Sequence, residues 1–261
     1  MFNLTSIFHP LTAQVAAIDG HLPCAALKPF VANYWYWGAD VTKPITKPIL
    51  VIPDTCRDVI FEVDHATGTV HCTQCGMDTA AFVAYPAPET TFRFAIRFYC
   101  WSVHFFDDCQ NWLPFFTKML LSTHTIHERI AKTELFLLKK LDMSSGNDNI
   151  MNALYHIVKH HGTAPVKDIC GYTSVSQRQL ERLFSAHIGT TIKKTSNLVR
   201  YQNVWRDVVS LERFDALDAV EKYGFTDQSH LLRSFAKYHH GMTMTQAKDV
   251  AFLQDKPSKM C

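Results

Sequence analysis

The sequence predicts an α+β chain of two domains: a β-rich front half, connector helices, and an all-helical back half with two helix-turn-helix units. Three observations carry this. Up to about residue 105, short apolar runs alternate with turn residues and prolines. From near Asp107 the apolar spacing turns helical. In the back half one pattern occurs twice, as Leu180, Arg182, Phe184 and again as Leu231, Arg233, Phe235.

In order along the chain, Tyr34–Trp37 is an aromatic strand candidate, and Ile49–Asp64 splits into two apolar runs at Pro53-Asp54-Thr55. Thr69–Thr73, Ala80–Tyr85 and Phe92–His104 follow as strands, punctuated with the others by Pro44, Pro48, Pro53, Pro86 and Pro88. Short strands spaced by turns suggest a barrel or a sandwich. Asn111–Leu121 and His124–Leu141 read as helices, the second with Ile126, Ile130, Leu137 and Leu141 at helical spacing. Ser144–Asp148 is a polar linker containing Gly146. The boundaries expected are 1–105 for the β-rich domain, 106–148 for the connector and 149–255 for the helical domain.

Each repeat reads as a helix, a tight turn and a second amphipathic helix. In the first, Val166–Gly171 precedes a turn over Tyr172–Val175, Ser176 caps, and Leu180 and Phe184 point inward. In the second, Leu217–Tyr223 has Leu217 and Val220 as its apolar face, Gly224 ends it and Asp227 caps the next helix. There Leu231 and Phe235 point inward. Between the copies, Ile192–Leu211 forms one long helix, a rod that fixes the separation of the two units. Such a pair suits two successive major-groove faces on one side of a duplex, roughly 34 Å apart.

Composition narrows the class. The 261 residues are 47% hydrophobic and 12% aromatic, which supports a true core. The longest apolar run falls short of the roughly 18 residues of a membrane span, and the first residues lack a signal-peptide pattern. A cytoplasmic protein with reduced thiols is the expectation for the eight cysteines. Residues 1–161 carry 12 Lys+Arg against 14 Asp+Glu, and residues 162–261 carry 14 against 10. The net +2 thus hides a basic back half, as a polyanion partner would require.

The back half resembles the DNA-binding domain of AraC/XylS-type transcription regulators. The matching residues are Ile169-Cys170, Ser176, Leu180 to Phe184, Gly189, Arg200 opening the linking helix, Gly224 to His230, Arg233, Phe235 and Gly241 to Thr243. Ile192 and Met244 stand where the family has Pro, His239-His240 adds a residue before Gly241, and Ala247 and Lys248 replace an aromatic and an Arg. The resemblance implies base contacts from Arg178, Glu181 and Arg182, with Gln177 beside them, and from Gln228, Ser229, His230 and Arg233. Arg can pair with guanine, Gln with adenine and Glu with cytosine, while Leu232 suits a thymine methyl. Arg182 and Arg233 are alternatively phosphate contacts, and Lys193, Lys194 and Lys237 are phosphate contacts or solvated surface.

The resemblance further implies a cupin-like β-barrel in front, binding an effector or mediating dimerisation, a homodimer paired through connector helices, RNA polymerase as a partner, and activation. Candidate effector residues are Tyr34, Trp35, Trp37, Arg57, Arg97 and Trp101; barrel core and salt bridges are the alternative roles. Cys72 and Cys75 form a C-x-x-C that would chelate zinc, act as a redox pair, or simply be two thiols at a strand end. Zinc would need Cys100, His104 or Cys109 to complete four ligands. No cofactor is expected. An enzyme is the rival class, but His65, His71 and His104 lack the spacing of a metal triad and no hydrolase signature occurs. A regulator whose front domain makes only protein contacts remains a third reading.

Overall fold

The computed structural model describes residues 4–11, 19–38, 48–86, 88–106 and 108–255, with the side chains of Val103 and 250–255 excepted. Pro44 and Asp107, named above, lie outside them, as does Cys261, one of the eight cysteines.

Five strands make one antiparallel sheet: β1 (Asp19–His21), β2 (Val31–Gly38), β4 (Cys56–Asp64), β5 (Thr69–Cys75) and β7 (Thr91–Tyr99), in the order β1-β2-β7-β4-β5. β3 (Ile49–Val51) and β6 (Phe82–Ala84) pair separately. Among the described residues the five-stranded sheet is open, not closed into a barrel. Alternation decides its faces. Tyr34, Tyr36, Val59, Phe61, Val63, Phe92, Phe94, Ile96 and Phe98 are buried on one side, under Phe116, Met119, Leu120, Ile130 and Leu137 of the connector helices. The Phe61 and Phe116 rings stack 3.9 Å apart at the centre of this core. The last strand stops at Tyr99, short of the expected His104, which sits in a 3-10 turn over Val103–Phe105.

The connector begins with a 3-10 turn at Cys109–Trp112, capped by Asp108. α1 (Leu113–Ser122) follows because Pro114 suits a helix start, and Thr125 caps α2 (Ile126–Lys140). The back half holds α3 (Asp148–Lys159), α4 (Val166–Gly171), α5 (Gln177–Leu183), α6 (Ile192–Ser210), α7 (Ala216–Lys222), α8 (Gln228–Tyr238) and α9 (Met244–Asp255).

α6 is the spine. Its Ile192 and Val199 close one core with Ile150, Leu154, Ile157, Ile169, Leu180, Phe184 and Ile188. Its Leu198, Tyr201, Val204, Trp205 and Val208 close a second core with Ala219, Tyr223, Leu231 and Phe235. Arg200 therefore lies midway along the spine, not at its opening, where its guanidinium donates to the Gly162 carbonyl at 3.3 Å. Gly162 has φ +73°, and a Cβ there would stand 2.0 Å from the Ser196 carbonyl oxygen, so the turn before α4 approaches α6 as only glycine allows.

The two halves share cores. Cys56, Tyr99, Cys100 and Trp101 belong to the first helical core, and Ile52 to the second. Gln202, fully buried on α6, donates to the Pro53 carbonyl at 2.9 Å and accepts from the Leu11 amide at 2.7 Å.

Candidate nucleic-acid interface

In the first unit the Ser176 hydroxyl accepts from the Gln179 amide at 3.3 Å, which starts α5. Leu180 and Phe184 are buried, so the opposite face carries Gln177, Arg178 and Arg182 exposed. α5 runs into a single π turn over Phe184–Ile188, which Gly189 ends at φ +77°. Glu181 departs from the expected outward role. It is half-buried, and its Oε2 accepts from the Ile192 amide at 3.4 Å. The proline usual in the family has no N–H to offer, so Ile192 supplies a bond that turns Glu181 inward, toward the N-terminus of α6. Lys193 and Lys194 are exposed in that first turn.

The second unit repeats the geometry. Asp227 accepts from the His230 amide at 2.7 Å, Leu231 and Phe235 are buried, and Gln228, Ser229, Leu232, Arg233 and Lys237 are exposed. His230 folds back instead: its Nδ1 accepts from the Thr226 amide at 3.4 Å and its ring meets Phe225 edge-on. Leu217 is a correction. It is 67% exposed, and Ala219 and Tyr223 take the inner face of α7, because a helix starting at Ala216 turns those positions toward α6. The added histidine pair is accommodated at the end of α8. His239 is buried, stacks 4.2 Å from Phe235 and bonds Tyr201 at 3.1 Å, while His240 and Gly241 take positive φ. Burial holds the His239 imidazole far below its usual range, at about 3. Met244 starts α9 behind a reciprocal cap between Thr243 and Gln246, so neither missing proline breaks a helix start.

In the front domain the expected effector residues disperse. Tyr34 is sealed in the sheet core. Trp35 and Trp37 point to the other face: Trp35 donates to Asp58 at 3.0 Å, and Arg93 lies over the Trp37 ring at 5.2 Å. Arg97 is clamped between Asp54 and Asp58. Burial raises the Asp58 carboxyl despite Arg97, whereas the two carboxylates outweigh burial at Arg97 and hold it firmly protonated. Trp101 is buried against the helical core and donates to the Pro29 carbonyl. Of the set, Arg57 lines a cleft.

That cleft, about 360 Å³, lies where the covered sheet face meets the π turn. Arg57, Gln74, Phe98, His104 and Trp112 line one side and Ala186 and His187 the other. An Arg57 guanidinium nitrogen donates to the His187 carbonyl at 3.4 Å, while its Nε and both His104 ring nitrogens make no hydrogen bond within the protein. Burial, then His187 beside it, lowers His104 to about 4, leaving a neutral imidazole with a donor and an acceptor to spare. Sequence reading missed this group because His104 and His187 meet only in the folded chain. Gln202 did leave a signal: a polar residue within the buried stripe of α6.

Cys72 and Cys75 sit three apart on β5, hence on opposite faces, and cannot share one ion or bond to each other. Cys72 instead contacts Cys109. Among the described residues no group of three or more His, Cys, Asp or Glu gathers as a metal site, and no helix is long and apolar enough to cross a membrane.

Comparison with known proteins places these geometries. A family model described as "Helix-turn-helix domain" matches residues 169–249, and one described as "Domain of unknown function (DUF6597)" matches residues 19–109. No curated protein matches. Among solved structures the chain is similar to unsaturated-fatty-acid-bound ToxT from Vibrio cholerae strain SCE256, with TM-score 0.41, 10% identity, and 82% of this chain and 93% of that chain covered. It is similar also to ToxT from Vibrio cholerae solved at 1.65 Å, with TM-score 0.41, 11% identity, and 86% and 98% covered. With two capped helix pairs on one spine and a family match across both, residues 169–249 are an AraC-type helix-turn-helix domain, the DNA-binding part of a transcription regulator.

Proposed function

We propose that the chain is a cytoplasmic, sequence-specific transcription activator that sets α5 and α8 into successive major grooves on one side of double-stranded DNA. The observation that carries this is the repetition of one device: a side-chain cap, two buried apolar residues, and an exposed polar face bearing Arg, on both helices. Arg178 and Gln228 are the direct base readers, with Gln177 and Ser229 beside them and Leu232 against a thymine methyl. Arg182, Arg233, Lys193, Lys194 and Lys237 bind phosphate. Glu181 and His230 act mainly inward, by holding the helix ends. The test is a gel-shift titration against the chain's own upstream DNA. Sequence-specific retention that Arg178→Ala and Gln228→Ala relax supports the reading, and equal affinity for unrelated DNA contradicts it.

The cleft between sheet and π turn is the effector site in this reading. Its Arg57 and neutral His104, over Phe98 and Trp112, suit a small organic carboxylate with a flat apolar body. Because Ala186 and His187 follow directly on the α5 reading helix, a ligand there bears on DNA binding by preferring one arrangement of the two halves. Thermal-shift screening of aromatic and aliphatic carboxylates checks it: stabilisation by one of them, lost in Arg57→Gln, is expected. The outer side of α2, where Leu135 and Leu138 are exposed, pairs two protomers. RNA polymerase is the partner that an activator of this kind requires.

A further inference from the structure

The DNA-binding reading leaves one side-chain cluster unused, the thiols of Cys72 and Cys109. They come from separate elements. Cys72 lies on β5 across from Phe61, and Cys109 opens the 3-10 turn that Asp108 caps before α1. Both pack against the same aromatic core, and their sulfurs are in hydrogen-bonding contact. Cys109 also lines the cleft together with Arg57, which gives a small reagent a path to it and places a cation beside it.

We propose that Cys72 and Cys109 form a dithiol modification site, which low-molecular-weight disulfides oxidise to an intramolecular disulfide. Three other described thiols lack this combination. Cys56 and Cys100 lie in the core between the halves and do not line that cleft, and burial pushes both up. Cys75 faces away from the pair, and burial with Asp58 and Asp78 raises it too. Cys109 moves the other way: the hydrogen bond from Cys72 lowers it, against burial and the Asp108 carboxylate, and Arg57 adds a smaller lowering. Thiolate is the attacking form in disulfide exchange.

The chemistry balances in two exchanges. The Cys109 thiolate attacks one sulfur of the small disulfide. A mixed disulfide forms, the reagent's S–S bond breaks, and the released thiolate takes up the proton that Cys109 gave. Cys72 then attacks the Cys109 sulfur, joining the two cysteines and releasing a second small thiol that carries the Cys72 proton. The dithiol is oxidised by two electrons and the small disulfide is reduced to two thiols. The product ties β5 to the start of α1 along the wall of the cleft.

The test uses the full chain and oxidised glutathione, with intact mass and peptide mapping under non-reducing conditions. The expected result is a loss of two hydrogens per chain, a peptide linked through Cys72 and Cys109, and reversal by reduced glutathione. Cys75→Ser should behave as the parent, and Cys72→Ser should trap a stable glutathione adduct at Cys109. A bond between any other pair, a lasting glutathione adduct on the unsubstituted chain, or no mass change overturns the proposal. The decisive measurement is on the unsubstituted chain, so misfolding of a variant cannot obscure it, and the result is independent of whether the protein binds DNA.

Discussion

At the scale of residues, two neighbours on one helix turn should separate cleanly by mutation. Arg178 is exposed on the reading face, while Glu181 bonds the Ile192 amide. Arg178→Ala is expected to relax base preference, at a cost of about 1–3 kcal/mol of discrimination. Glu181→Ala is expected to leave preference intact and lower stability by about 1 kcal/mol; quantitative gel shifts and denaturant melts read the two. His239 offers a pH test. Burial holds it at about 3, whereas an unfolded histidine titrates near 6.5. The unfolded chain therefore binds a proton that the native chain refuses. Stability is full above about pH 6.5 and falls as the pH drops from there toward about 3. His104, depressed to about 4, adds to the same slope. Thermal midpoints measured between those pH values should fall less steeply in His239→Phe, which keeps the ring against Phe235 but cannot titrate.

At the scale of elements, the reading helices depend on their caps. Ser176→Ala and Asp227→Ala should each cost about 1 kcal/mol and weaken DNA binding with little change of preference. Gly162→Ala should be worse, about 3 kcal/mol by calorimetry, since a Cβ meets the α6 backbone at positive φ. What was legible in the sequence follows the same logic. Ser176 and Asp227 were readable because a cap bonds an amide only three residues on. The strands at Ile49–Val51 and Cys56–Asp64 were readable because Pro53 and its neighbours interrupt an apolar run. The three-residue β1 was not, being too short to show a period. Leu217 was misplaced because helix periodicity gives a spacing without a phase, and α6 sets the phase. The dispersal of Trp35, Arg97 and Trp101 was also hidden: each takes partners distant in sequence, Asp58, Asp54 and Pro29.

At the scale of the molecule, the halves are joined by buried polar bonds as well as apolar cores. Gln202 reaches both Pro53 and Leu11 from the spine, so Gln202→Ala strands a buried carbonyl and an amide. It should loosen the front half from the back half, seen as faster amide exchange along α6 and a broader unfolding transition. The spine itself, α6, is a 19-residue helix, roughly 28 Å long at 1.5 Å per residue. In the proposed reading, that length ties α5 and α8 to a fixed separation on DNA. The direct measurement is affinity for DNA in which about 5 base pairs are inserted between the two half-sites, against an insertion of about 10 base pairs and the native site. The half-turn insertion rotates one site to the opposite side of the duplex and should abolish joint engagement, leaving the weak affinity of a single unit. Affinity that ignores the half-turn insertion would contradict a rigid pair of groove-reading helices.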